Sequence, residues 1–457
     1  MRVPIVHTMA LTALALLPFA FGGGPVWAWG TVALVIGVCL AVSGVCLLVQ
    51  RCPQPPTPGA LLFALAIAGG LAIFAGLQTV PGLPGAHPVW AGLADALANP
   101  PPGTWSMTPV QVWPGVAMLL MLAGILWLPA QMAPRRGADP ALPVFATAGA
   151  VASGYGLLVL AAGSEQVLWL AKADYRDVAT GPFINRNAFA AYLGLAFCAA
   201  VAGMQRRWQA GETVWPWYPP GVILLLAGLV ASESRGGMAA AALALGVLLW
   251  LSVLRHASLR TFGLGMAATL GLALATGLFL ADRATGIPSA LARRGEIYAA
   301  AWDLVAQRPW LGHGLGSFEA AFRQVRPESL ERVVTQAHNV YLHGAVTLGL
   351  PAAALAVTAF LALAVACARA AWAGAPAGTA GFGAAILLGT HGLIDFAPQV
   401  PGVAVTGAWF MGAGAAFQPV ARDRAVRRRW RFFAGPRAGP RAPGSIGDAD
   451  SGPEPAS

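Results

Sequence analysis

The sequence predicts an all-α polytopic membrane protein of about 12 transmembrane helices, with one long connector that carries helices of its own. Three observations predict it. Of 457 residues, 57% are hydrophobic and only 10% charged, against about a quarter charged in soluble domains. Apolar runs near the ~20 residues that a span requires recur along the chain. Only one connector, residues 282–340, is long enough to fold.

The runs fall at about 4–22, 28–49, 58–80, 109–131, 142–163, 185–204, 218–233, 236–254, 261–281, 341–367, 379–394 and 400–420. The first reads as a span and not a cleaved signal peptide, because further apolar runs follow it at once. Arg2, Arg51, Arg135, Arg136, Arg206, Arg207, Arg255, Arg260 and Arg369 fall in connectors on one side, against Lys172, Arg176, Arg186 and Arg235 in the short connectors of the other. The positive-inside rule makes the first side cytoplasmic and puts both termini there. The outer connector 81–108, rich in Pro, Gly and Trp, resembles an interfacial loop with Trp anchors. Within 282–340, Ile297, Ala301, Leu304 and Val305 keep a helical spacing, which predicts an amphipathic helix over Leu291–Gln307 that Pro309 stops. Residues 1–180 read as an N-terminal block of five spans, 181–420 as the functional region, and 421–457 as a basic, disordered cytoplasmic tail with eight arginines between Arg422 and Arg441.

The net charge of +10 is almost all arginine, since Lys172 is the only lysine. Pyrophosphate or anionic lipid suits such a chain. Nucleic acid does not, because the arginines are scattered between apolar runs and make no basic face. Cys39, Cys46, Cys198 and Cys367 lie in apolar runs and Cys52 in a connector, so no disulfide framework is expected.

Four polar constellations interrupt the apolar background, all on the outer side by this topology. Asn185, Arg186 and Asn187 open the sixth span, where an Asn can cap free backbone donors, although capping does not explain the arginine. Ser232, Glu233, Ser234, Arg235, Gly236 and Gly237 form a tight turn that suits an anion, with snorkelling of Arg235 as the plainer alternative. The long connector supplies Arg293, Arg294, Glu296, Tyr298 and Trp302 on its helix, then Gly312, His313, Gly314 and Gly316 in a compact turn, whose spacing fails as a dinucleotide loop. His338 and Asn339 stand where the tenth span begins. Gly349 lies eleven residues on, about three helical turns, which predicts one shared face. There His338 can act as a general base or orient a hydroxyl. His391 and Asp395 are four apart and read as a structural pair. No His, Cys, Asp or Glu cluster has metal-ligand spacing, so a metal-independent reaction without cofactor is expected.

In this order, with one long outer loop before the His-Asn pair, the motifs resemble the O-antigen ligase and O-antigen polymerase superfamily of bacterial membrane glycosyltransferases. The matching residues are Gly181 to Asn187 with Ala188, Phe189 and Tyr192; Ser234 to Gly237; Arg294, Trp302, Pro309, Gly314, Gly316 and Phe318; and His338-Asn339 followed by Gly349-Leu350. The resemblance implies a fold related to the C-type membrane glycosyltransferases and transfer of a glycan from undecaprenyl pyrophosphate at the periplasmic face of the bacterial inner membrane. It implies that Arg186, Arg235 and Arg294 hold the pyrophosphate and that His338 activates the acceptor, with Asn187, Asn339 and Arg293 as further substrate-binding residues. The implied acceptor is lipid A core. Thr347 and Ala352 depart from the ligase pattern, which keeps polymerisation of lipid-linked units and transfer to protein beside ligation. A transporter or flippase is the alternative of another class, disfavoured because the charges lie at span ends and not near the midplane.

Overall fold

The computed structural model describes residues 3–50, 57–132, 140–214, 218–256 and 287–417, which form fifteen helices and one small hairpin. The predicted ninth span, 261–281, and the basic tail lie outside the described residues. The helices are α1 Val3–Leu16, α2 Val26–Gln50, α3 Gly59–Leu77, α4 Val89–Ala96, α5 Pro109–Met132, α6 Ala141–Ala161, α7 Arg186–Gln209, α8 Tyr218–Ala231 and α9 Arg235–His256. They continue as α10 Ile287–Gln307, α11 Phe318–Val325, α12 Val340–Leu348, α13 Leu350–Ala373, α14 Pro376–His391 and α15 Pro401–Ala415. Between α6 and α7, Gln166–Val167 pairs antiparallel with Leu170–Ala171. By length and hydropathy, α2, α3, α5, α6, α7, α9 and α13 can cross a membrane, and α1 and α8 are shorter apolar helices.

These helices are apolar all round, so they associate by close packing of small residues and not by an amphipathic stripe. Helix α7 is the centre, buried from Ala188 to Gly203 apart from Phe197 and Val201, and packed on α6, α8, α9, α14 and α15. A methyl on Gly194 would lie 2.4 Å from Leu387 of α14, and one on Gly149 of α6 would lie 2.2 Å from the Ala196 Cβ. Such contacts bring helix axes close where larger side chains would hold them apart. Exposed tryptophans gather at the two ends of the bundle: Trp27, Trp113, Trp169 and Trp310 at one, Trp208, Trp250 and Trp372 at the other. Two such groups are what two membrane–water interfaces select.

The first Trp end carries the long connectors. Helix α10 extends the predicted amphipathic segment by one turn, and Ile297, Ala301, Leu304 and Val305 are buried against Phe318 and Phe322 of α11 and Val346 of α12. Trp90 and Trp105 of the connector before α5 do more than anchor, because their indole N–H groups donate to the Ser106 and Pro84 carbonyls and knit that loop together. The predicted tenth span is corrected. Gly349 has φ 79° and ψ 163°, which ends α12 and starts α13, so residues 341–367 are two helices and not one.

Two buried histidines clasp the connector before α5 to the turn after α10. His313 Nε2 faces the Leu304 carbonyl at 2.9 Å and must donate, which leaves its Nδ1 to accept from His87 Nε2 at 2.9 Å, while His87 Nδ1 accepts from the Val89 N–H. Both rings are therefore neutral. Arg308, the charged neighbour, donates to the Gly85, Ala86 and Gly312 carbonyls. Burial, then the charges of His313 and Arg308, lower His87 to about 4, and burial also lowers His313. The folded chain thus binds fewer protons than the unfolded one between the ordinary value of about 6.5 and about 4. The clasp is at full strength above that window and weakens as pH falls through it. The thermal midpoint in detergent should fall on acidification from pH 7 to 4.5, and fall less in a His87→Gln, His313→Gln variant. An equal acid slope in both proteins would refute this.

Candidate functional site

All four constellations meet at this end, and they meet around a residue that sequence reading had assigned to structure. Asp395 follows the end of α14, where its N–H returns to the His391 carbonyl at 2.9 Å. Its carboxylate does not pair with His391 by hydrogen bond. One oxygen, Oδ1, accepts from the Ala397 N–H at 3.0 Å. The other, Oδ2, accepts from Asn187 Nδ2 at 2.8 Å, lies 3.4 Å from His338 Nδ1 and is 3.8 Å from Arg294. The side chain is 2% exposed. Burial pushes its carboxyl up, but the His338 hydrogen bond, the nearby charges of His391 and His338 and the Ala397 N–H outweigh burial and hold it below the ordinary range. An ionised carboxylate at the centre of the cluster follows.

Arg294 reaches the cluster from within α10, and the other side chains are placed by helix N-termini. Asn185 caps α7, its Oδ1 accepting from the Asn187 and Ala188 N–H groups, so the capping reading holds for Asn185. The cap leaves the next two side chains for the site. Asn187 uses both ends of its amide, donating to Asp395 and accepting from Ser234 Oγ at 2.7 Å. Ser234 precedes α9, and its hydroxyl also accepts from the Gly237 N–H. The α9 N-terminus, with Arg235 as its first residue, is pressed on the α14 end: a methyl on Gly236 would lie 2.7 Å from Ile394 and 3.6 Å from the His391 ring. Ser234, Asn187 and Asp395 thus form one hydrogen-bonded chain across three helices.

Asn339 caps α12, accepting from the Tyr341 and Leu342 N–H groups and donating to the Leu393 carbonyl. His338 precedes the cap with φ 51°, which corrects the expectation that it shares a helix face with Gly349. It stands outside the helix that Gly349 ends. A left-handed backbone costs a non-glycine residue about 1–2 kcal/mol. The conformation is held by Tyr298, whose hydroxyl donates to the His338 carbonyl at 2.9 Å, and by the edge of Phe396 against the ring. The strain turns Nδ1 onto Asp395. In the neutral imidazole Nδ1 then carries the proton and donates, and Nε2 is the free base, with no hydrogen bond among the described residues. His343 lies apart, half-buried and stacked on Phe318.

The predicted arginines are not equivalent. Arg294 reaches Asp395 from α10 with its side chain one-third exposed. Arg186, the first residue of α7, lies over the Tyr175 ring with its Cζ 5.2 Å from the centroid, and its buried Nε has no hydrogen-bond partner. Arg235 is held at the α9 N-terminus. Arg293 is exposed on α10 and is not among the residues that contact Asp395. The compact glycine turn predicted at 312–316 is present, with φ 64°, 112° and 81° at Gly312, Gly314 and Gly316. It abuts the α12–α13 junction and supports the site from below. The open apolar groove lined by Ile5, Thr8, Met9, Thr12, Ala13 and Val35 carries no titratable group and lies away from this cluster.

Sequence reading gave Asp395 to a structural pair and did not single out Tyr175, while Tyr298 stood already in the third constellation. A signal for the first existed, since Asp395 is the only acid between Glu331 and Asp423. Among the described residues no group of three or more His, Cys, Asp or Glu is arranged to hold a metal ion. Chemically, the cluster offers one oriented imidazole, one ionised carboxylate, two arginines that open helices and a third, Arg294, from within α10.

A search of the curated proteins finds no match. A family model described as O-antigen ligase matches residues 220–357, which takes in α8 to α12 and the start of α13. The match contains Arg235, Arg294, His338 and Asn339, while Arg186, Asn187 and Asp395 lie outside it. Over residues 220–357 this match supports the resemblance to the O-antigen ligase and polymerase superfamily that the ordered motifs carry.

Proposed function

We propose that the chain transfers a glycan from undecaprenyl pyrophosphate to an acceptor hydroxyl at the periplasmic face of the bacterial inner membrane, with lipid A core as the acceptor. The observation that carries this reading is the convergence of the α7, α9 and α12 N-termini with Arg186, Arg235 and Arg294 around the His338–Asp395 pair. Helix N-termini and guanidinium groups are sites for phosphate oxygens. In the reaction, His338 Nε2 takes the acceptor hydroxyl proton as the acceptor oxygen bonds to the anomeric carbon, and the bond from that carbon to the pyrophosphate oxygen breaks. Asp395 keeps the imidazole in the productive tautomer and stabilises its cation. The charge that grows on the departing pyrophosphate falls on the arginines and the helix N-termini, which are preorganised for it. Asn187 and Asn339, both engaged within the protein, position these groups, and Arg293 lies at the exposed rim of the donor site.

Polymerisation of lipid-linked units and transfer to protein use the same donor and differ in acceptor. Reconstitution with purified lipid-linked donor and a panel of acceptors (lipid A core, a second lipid-linked unit, a pilin-like protein) separates them. In that assay Arg235→Ala should lower transfer by about 10²- to 10³-fold while leaving membrane insertion intact. Unchanged product from both Arg235→Ala and His338→Ala would overturn the assignment and favour a transporter.

A further inference from the structure

The connector between α6 and α7 places a strained tyrosine beside the cluster. Tyr175 has φ 61°, a backbone region that a bulky side chain leaves unless its surroundings enforce it. Three contacts brace the segment around it. Arg176 pairs with Glu165 at 3.3 Å, Lys172 Nζ donates to the Val178 carbonyl at 3.0 Å, and Asp174 pairs with Arg332 of the long connector at 3.1 Å. The ring so held lies beneath the Arg186 guanidinium. Arg186 makes no ion pair among the described residues, and its buried Nε has no hydrogen-bond partner. Burial pushes the Tyr175 hydroxyl up, against the nearby charge of Arg186, and keeps it neutral. A carboxylate in place of the ring would hold Arg186 equally well, but it would cancel the charge that an anion needs. An aromatic face orients a guanidinium and leaves its charge and its N–H edge available.

We propose that Tyr175 is a positioning residue for the donor: its ring holds Arg186 so that the guanidinium edge meets the pyrophosphate. This rests on the glycan-transfer reading above, and two readouts separate the two. Tyr175→Asn removes the ring yet tolerates the left-handed backbone, so the fold is kept. Tyr175→Phe keeps the ring and removes only the hydroxyl. In initial-rate assays with lipid-linked donor, Tyr175→Asn should raise the donor KM about 5- to 30-fold with kcat changed less than about 3-fold, whereas Tyr175→Phe should stay within about 2-fold of wild type. In an Arg186→Ala background, Tyr175→Asn should add almost nothing, because the residue acts through Arg186. Inorganic pyrophosphate should raise the thermal midpoint of wild type and Tyr175→Phe but not of Tyr175→Asn.

An unchanged donor KM in Tyr175→Asn would overturn the proposal. So would an equal effect with and without Arg186, or equal pyrophosphate stabilisation of all three proteins, or none of wild type. A wild-type protein inactive on lipid-linked donor but stabilised by pyrophosphate in a ring-dependent way would sink the transfer reading and leave Tyr175's role standing.

Discussion

Replacing His338 by alanine is expected to lower glycan transfer by about 10²- to 10⁴-fold, the usual contribution of a positioned general base, with folded protein recovered at wild-type yield. His338→Asn is the stricter form of the test. Asparagine accepts the left-handed backbone at this position, so a loss of activity there reports the missing imidazole and not a disturbed turn. Asp395→Asn should also impair transfer strongly, since an amide cannot stabilise the imidazolium and can present its N–H to His338 in place of an acceptor. The two effects should not add. Once the imidazole is gone the carboxylate has nothing to orient, so the His338→Ala, Asp395→Asn protein should be no slower than His338→Ala alone. More than a tenth of the wild-type rate in either His338 variant, or additive losses in the double variant, would refute a His–Asp unit.

That unit shows where sequence reading stops. Seven apolar helices among the described residues that can cross a membrane were legible because a bilayer demands long apolar runs, and the caps at Asn185 and Asn339 because an amide before an apolar run satisfies free helix donors. The amphipathic α10 was legible from Ile297, Ala301, Leu304 and Val305 for the same local reason. The Asp395 contacts were not local. Asn187 and Asp395 are 208 residues apart, and His338 and Asp395 are 57 apart. Only the packing of α7, α12 and α14 brings them together, and no periodicity within one segment encodes it. The four-residue spacing of His391 and Asp395 misled, because it presumed a helix that ends at His391. His338 and Gly349 misled in the same way: eleven residues are three turns only if all eleven are helical. Tyr175 had no sequence signal at all, because its role depends on a backbone conformation imposed by contacts with Arg332 and the hairpin.

Gly349→Ala is expected to destabilise the protein by about 2–6 kcal/mol, summing about 1–3 for a backbone region open essentially to glycine alone and about 1–3 for overpacking. With φ 79° and ψ 163°, Gly349 turns the chain between α12 and α13, and a methyl there would lie 2.5 Å from the Trp310 carbonyl oxygen and 3.0 Å from that of Pro309. Neither backbone oxygen can move freely. The Leu350 N–H donates to Pro309 at 2.7 Å, and the His313 and Gly314 N–H groups donate to Val346 and Thr347. Gln78, buried at the end of α3, binds the Leu311 and Thr347 carbonyls and the Leu315 N–H. The junction therefore joins α3, the glycine turn and the helix that Asn339 caps, and it determines where His338 stands. Gly295 supplies the contrast: it lies exposed within α10 with nothing within 4 Å of a added methyl, so Gly295→Ala should be neutral or stabilising by up to about 1 kcal/mol. Thermal midpoints and the monodisperse fraction in detergent measure both. Gly349→Ala as stable as Gly295→Ala would mean that the junction is not what holds the His338 side of the site in place.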